Sequence, residues 1–317
     1  MLSNRDFIAL RKPFVGKLQK YHTLRAPDLR DSCELVIGGP VWLLQFMLDR
    51  RSLLLRMMTA AGGLSLTSTE TFAQLLRSEV DPEFVIKNGR INQSIMGWCF
   101  RDHFSALELA HHCKALGFAG MEGIPREAYP EVKKLGLDIS LISTHGFATG
   151  PCNPANHDEV IAKLTEGIEV AQEVDCKSII TFTGMRYDGM DDEAAAQQCI
   201  KTWKEVIPIA EKAGVTIVLE HLNSRDDSHP MKGHPGYFGD DVDFCVDLIK
   251  QIDSPNFKLL FDIYHVSVMN GDIIRRIRQY KDVIGHYHTA GNPGRAEMDE
   301  TQEINYPPIL EEIIATG

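Results

Sequence analysis

The sequence predicts an α/β fold, specifically a (β/α)8 TIM barrel. Three observations lead there. From Ile91 onward, apolar runs of strand length alternate with amphipathic helical stretches, as in a parallel sheet with helical crossovers. Seven such strand–helix steps follow one another. No GxGxxG follows the first strand, which favours a barrel over a doubly wound nucleotide-binding sheet.

The elements read in order. INQSIMGWCF, residues 91–100, has strand character, and HFSALELAHHCKAL has helical spacing, with Gly117 where a helix would stop. FAGMEGI is the second strand, and Arg126 to Leu135 is helical. LDISLISTHG is the third strand, followed by a helix from His157 to Val174. SIITFTG is the fourth, and the helix Asp191 to Ala213 ends at Gly214. TIVLEHLN is the fifth. A Gly-, Pro- and His-rich insertion, Ser224 to Phe238, precedes the helix DDVDFCVDLIKQI. FKLLFDIYH is the sixth strand and VIGHYHTAG the seventh, with a basic amphipathic helix, Gly271 to Tyr280, between them. Tyr306 to Ala315 reads as the seventh barrel helix, and Thr316-Gly317 as a turn toward an eighth strand that the sequence does not contain.

Residues 91–317 thus form the barrel domain. Residues 1–46 lack a period and read as an upstream extension foreign to the mature protein. Residues 47–73 have the three parts of an export signal: Arg50-Arg51, an apolar run from Leu53 to Leu66, and Thr71 and Ala73 before Gln74. The paired arginines make this a twin-arginine-type leader, implying a periplasmic protein, or a cytoplasmic one if the signal is not used. Residues 74–90 read as a linker. Arg56 interrupts the short apolar run, so no membrane association beyond export is expected.

The 317-residue chain is 44% hydrophobic and 24% charged, with a formal net charge of -11. Its acidity disfavours nucleic acid as a partner. Its seven cysteines are scattered without a CxxC pair and read as free thiols. A small-molecule partner is expected, and homo-oligomerisation stays open.

Barrel chemistry sits at the C-terminal ends of the strands. Strand five ends in Glu220-His221-Leu222-Asn223, strand six in Asp262-Ile263-Tyr264-His265, and strand seven in His286-Tyr287-His288. A carboxylate buried after an apolar run is costly unless a cation meets it. Glu220, Asp262 and His288 at one level therefore form a candidate site for one divalent ion. The oxygen and nitrogen donors suit Mn, Mg, Co or Zn. His286 and His288 face the same way, with His286 deeper and packing against a neighbour. His265 lies past the strand end, within reach of a substrate oxygen. His145 could line the same pocket or serve as a core histidine. His221, His229 and His234 read as lid or surface residues.

LEHLN, FDIYH, GHYHTAGNPGR and QEINY, in this order and spacing, resemble the xylose-isomerase-like barrels, and among them the hydroxypyruvate isomerases and related sugar isomerases and epimerases. The resemblance covers Ile91 to the end. It implies one divalent metal ion held by Glu220, Asp262 and His288, with a fourth ligand, a strand-eight Glu, beyond Gly317. His288 departs from the Gln common in hydroxypyruvate isomerases and is more like the ketose 3-epimerases. Glu303 in QEINY is read as a loop or pocket residue.

The implied activity is an aldose–ketose isomerisation, converting hydroxypyruvate to tartronate semialdehyde through an enediolate. Glu220 is one of two carboxylates that move the proton, and His265 hydrogen-bonds the oxygen that gains charge. Arg295, after a Pro-Gly turn, would clamp a substrate carboxylate, and Trp98 would help form an apolar wall. The loop 233–239 would act as a lid. The competing readings are a ketose 3-epimerase or other sugar isomerase, an abasic-site endonuclease, and an inactive binding protein.

Overall fold

The computed structural model describes residues 84–316. The readings of residues 1–46 and 47–73 fall outside the described residues, as does Cys33. In the described part of the linker, Ile86 N–H donates to the Leu116 carbonyl at 2.9 Å.

Strands β1 (Ser94–Met96), β2 (Gly120–Glu122) and β3 (Asp138–Ile139) pair in parallel in that order. Strands β4 (Ser178–Thr181), β5 (Thr216–Glu220), β6 (Phe257–Asp262) and β7 (Ile284–His288) do the same. A parallel bridge between Ile142 and Ile179 joins the two groups. Seven parallel strands therefore follow in sequence order among the described residues, as the staves of a TIM barrel.

Two strands are shorter than the sequence suggests. The first pairs only over Ser94–Met96, because the chain then winds into a 3-10 turn, Gly97–Phe100. The third changes partner midway. Ser140 N–H donates to Met121 O, whereas Ile142 N–H donates to Ser178 O, so the ladder is interrupted between them.

The helices follow their punctuation. In α1 (Ala106–Leu116), Ser105 and Glu108 form a reciprocal capping box, and Gly117 closes the helix at φ 86°. After a 3-10 turn come α2 (Tyr129–Lys134) and then α3 (His157–Glu173). Asp191 caps α4 (Asp192–Ala213) and Asp241 caps α5 (Val242–Ile252). The last three are α6 (Ile263–Met269), α7 (Ile273–Tyr280) and α8 (Tyr306–Thr316). No helix among the described residues is long and apolar enough to cross a membrane.

Strand alternation sorts the core into two layers. Ile179, Ile217, Leu219, Leu259 and Phe261 join the large cluster that includes the helices. Ile180, Val218 and Leu260, with Leu141, form a separate small cluster, which fills the barrel interior. Side chains two residues apart share a face. Glu220 and Asp262 therefore stand one step above Val218 and Leu260, directly over that apolar plug. The six cysteines among the described residues are all buried.

Candidate functional site

Glu220, Asp262 and His288 end three adjacent strands, and all are buried. The β6–β7 register sets His288 beside Asp262 and His286 beside Leu260, one layer down. His288 Nδ1 lies 3.1 Å from Glu220 Oε1. Ligand atoms of Glu220, Asp262 and His265 lie within 4.8 Å of one another. Geometry thus groups four candidate groups, and hydrogen bonding separates them.

His265 accepts at Nδ1 from the backbone N–H of Asn223 at 3.0 Å. A backbone N–H can only donate, so the proton of neutral His265 must sit on Nε2. That nitrogen has no hydrogen-bond partner and lies 3.7 Å from Asp262 Oδ2. Burial, reinforced by nearby Arg295, holds the His265 pKa well below the ordinary histidine value despite the Asp262 charge. His265 is therefore a neutral donor aimed into the site, and its tautomer argues against metal ligation.

Asp262 divides its two oxygens. Oδ1 accepts the His265 backbone N–H at 3.0 Å and so caps α6. Oδ2 faces Arg295 Nη2 at 3.3 Å. Burial opposes ionisation, but His265 and the Arg295 guanidinium outweigh it and keep the carboxyl well below the usual carboxylate range. Arg295 also donates to Met231 O at 2.9 Å and lies over the Tyr264 ring, 5.8 Å from its centroid. Its backbone is left-handed, at φ 53°, in a turn closed by mutual Gly291–Ala296 hydrogen bonds. A Cβ at Gly291 would lie 2.1 Å from Glu297 O, so the turn demands glycine there.

The structure adds a residue that the strand-end reading overlooked. Glu122 ends β2, is 1% exposed, and faces across the barrel. Its Oε1 lies 3.1 Å from His288 Nε2, and its Oε2 lies 3.1 Å from His286 Nε2. Burial opposes its charge, yet the two imidazoles override it and hold its pKa well below the usual range. In turn, the Glu122 and Glu220 carboxylates raise the His288 pKa well above the ordinary value, against the effect of burial. The signal was legible: Met121-Glu122 is an acid at the end of a buried strand, the pattern used to select Glu220 and Asp262.

Other candidates sit apart. His145 lies near the end of β4 with both ring nitrogens engaged, Nδ1 with Gly146 O at 3.2 Å and Nε2 with Thr181 Oγ1 at 2.9 Å. Those contacts are those of a core histidine, not of a free substrate donor. Trp98 packs over the end of β2, where a Cβ on Gly123 would approach its ring to 2.7 Å. Glu303 accepts from Asn292 Nδ2 at 2.7 Å and lines a cleft with Ser267, Ile273 and Pro308 whose lining includes none of Glu220, Asp262, His265 and His288. His221 and His234, expected at the lid or surface, are both buried. His221 lies near the rings of Phe261 and His265, and His234 lies against Phe147. His229 alone of these is exposed.

The loop 233–239 is tied to the strand ends by hydrogen bonds. Tyr237 is fully buried and donates to Glu220 O at 2.9 Å, while Gly239 N–H donates to Thr183 Oγ1 at 2.8 Å. Asn223 holds the insertion from the strand side through Lys232 O and Asp226 N–H.

The donor set fits a divalent cation. Glu220 and His288 present an oxygen and a nitrogen to each other at 3.1 Å in a buried setting. They share a hydrogen bond there, and a divalent ion can take the place of the proton between them. Two carboxylates and an imidazole also match the hard-to-borderline metals.

Comparisons with known proteins agree with this architecture. The family model described as "Xylose isomerase-like TIM barrel" matches residues 104–317. The 2-oxo-tetronate isomerase of Cupriavidus necator is 33% identical over 129 residues, covering 39% of this chain and 46% of the relative. The hydroxypyruvate isomerase of Escherichia coli is 26% identical over 162 residues, covering 51% and 60%. The chain thus spans less than two thirds of either relative. A Brucella melitensis structure titled AP endonuclease, family 2, superposes with a TM-score of 0.56 at 24% identity, covering 67% of this chain and 83% of that one. At that identity the likeness concerns the fold alone. With its family match extending over more than half of the sequence, the chain belongs to the xylose isomerase-like TIM barrel family.

Proposed function

We propose that the protein is a metal-dependent isomerase of a small hydroxy-carbonyl acid, interconverting hydroxypyruvate and tartronate semialdehyde. One observation carries the reading. Three buried strand-end side chains, Glu220, Asp262 and His288, converge beside His265, whose Nε2 has no hydrogen-bond partner. The names of the sequence relatives support an isomerase, and the acidic chain disfavours a nucleic-acid substrate.

Glu220, Asp262 and His288 would hold the ion, and His288 would bind through Nδ1. Bound there, a divalent ion supplies Lewis acidity to the substrate carbonyl and hydroxyl oxygens. Glu220 is one of the two proton carriers. It takes a proton from the hydroxymethyl carbon, and a proton is returned to the former carbonyl carbon. The hydroxyl proton passes between the two oxygens, so the reaction is redox-neutral overall. His265 Nε2–H donates to the oxygen on which charge develops. Arg295, at the mouth, faces the substrate carboxylate.

A ketose 3-epimerase is the second reading, favoured by histidine at 288. Incubation in D2O with Mn2+ separates the two. Deuterium entering hydroxypyruvate and tartronate semialdehyde supports the first, and deuterium at C3 of a ketose supports the second. No metal-dependent exchange into either class would dismiss both. The leader extends the proposal to periplasmic export, which a fusion of residues 47–90 to a reporter in cells with and without twin-arginine translocation would test.

A further inference from the structure

We propose that Glu122 is a positioning residue for His288, fixing the ring tautomer that turns the Nδ1 lone pair toward Glu220 and Asp262. The inference rests on the metal reading above and deepens it.

A neutral imidazole carries one N–H, and a carboxylate accepts only. Each nitrogen of His288 lies 3.1 Å from a carboxylate oxygen, Nδ1 hydrogen-bonding Glu220 and Nε2 facing Glu122 in an ion-pair contact. The two carboxylates favour the doubly protonated ring; a metal ion can displace the proton from only one nitrogen, and the ring then keeps its N–H on the other. The surroundings decide which. Glu122 Oε2 accepts Ser140 Oγ–H at 3.0 Å and lies 3.1 Å from His286 Nε2, leaving Oε1 for His288. The Glu220 side opens instead toward the second carboxylate, Asp262. With an ion bound at Nδ1, the remaining proton sits on Nε2, toward Glu122. This is the carboxylate–histidine–metal relay by which an outer carboxylate orients a ligand and raises its basicity. His286 has a supporting part, sharing the buried Glu122 charge from one layer below.

Titration of the full-length protein with Mn2+, following the free-ion EPR signal, measures affinity and stoichiometry together. Wild type should bind one ion. Glu122→Ala should weaken binding roughly 10- to 100-fold, but less than about twofold when made in a His288→Gln background. Glu122→Gln, which keeps an acceptor oxygen and the side-chain shape, should fall between. Thermal melts of the metal-free variants report folding, and Glu122→Gln carries the comparison if Glu122→Ala unfolds. Equal losses in both backgrounds would overturn the proposal, as would unchanged affinity. A second bound ion lost with Glu122→Gln would also overturn it, by making Glu122, His286 and His288 a metal site. If wild type binds no Mn2+, the isomerase reading fails along with this one. If wild type binds and Glu122 is silent, only this one fails.

Discussion

The two flanks of the site neutralise buried carboxylates by different means. On one flank Glu122 and Glu220 are met by the imidazoles of His286 and His288. On the other, Asp262 is met by a guanidinium, a backbone N–H and the neutral ring of His265. A guanidinium keeps its charge at every accessible pH, whereas an imidazole can exchange its proton for a metal ion. The first flank is therefore built to take up a cation, and the second to hold a fixed field. Substitutions that separate metal binding from catalysis test that contrast.

The largest effect is expected at Glu220, which serves as both ligand and proton carrier. Glu220→Gln should lower metal-dependent deuterium exchange at least about a thousandfold and weaken Mn2+ binding in the same protein. Unchanged exchange would remove Glu220 from the mechanism.

His265 on the other flank should behave differently. His265→Phe removes the Nε2–H donor and should cut kcat by about 10²- to 10³-fold, as loss of a transition-state donor does. Mn2+ affinity should stay within about threefold, because the tautomer set by Asn223 leaves no ligand lone pair. If affinity instead falls as far as in Glu220→Gln, His265 belongs with the ligands.

Arg295 comes third. A charge-assisted hydrogen bond contributes about 1.5–3 kcal/mol, so Arg295→Ala should raise KM for a carboxylate substrate about 10- to 100-fold. An uncharged ketose should lose little. The metal-free variant should also melt at a lower temperature, since Asp262 loses its fixed cation. Equal losses on both substrates would end the anion-clamp assignment.

How far the sequence exposed this arrangement differs between elements. The helices were legible because their ends are written locally, as in Ser105 and Glu108 around α1 and Asp191 and Gly214 around α4. Glu220, Asp262 and His288 were legible because an acid or histidine after a buried run demands a partner. Strand lengths were not. β3 ends when the chain turns from β2 to β4, a tertiary event that LDISLISTHG does not encode locally. FDIYH reads as strand with only His265 past its end, yet Asp262 already caps a helix, so Ile263, Tyr264 and His265 wind back over the site. Pairing was the hardest part. Asp262 to Arg295 and Glu122 to His288 both join distant strand ends, and only the closed barrel brings them together.

A last effect lies outside both flanks and keeps the comparison clean under acid. His112 in α1 is 5% exposed, its ring set edgewise to Phe104 at 5.2 Å between centroids. Burial, helped by the neighbouring His111 charge and opposed by Glu108, pushes its pKa down to about 4 from 6.5. The folded protein thus keeps His112 neutral where the unfolded chain takes up a proton. Above pH 6.5 both states are neutral, and the group contributes no pH dependence. As pH falls from 6.5 toward 4, the unfolded state binds more protons and stability drops. Below about 4 the loss levels off, at on the order of 3 kcal/mol. Denaturant titrations of the metal-free protein at pH 7 and pH 4.5 should therefore show part of this decline. His112→Leu should reduce the difference between the two pH values by about 2 kcal/mol or more, leaving the remainder to the site. If His112→Leu leaves the difference unchanged, acid lability originates elsewhere, and the imidazole-rich flank becomes the first place to look for it.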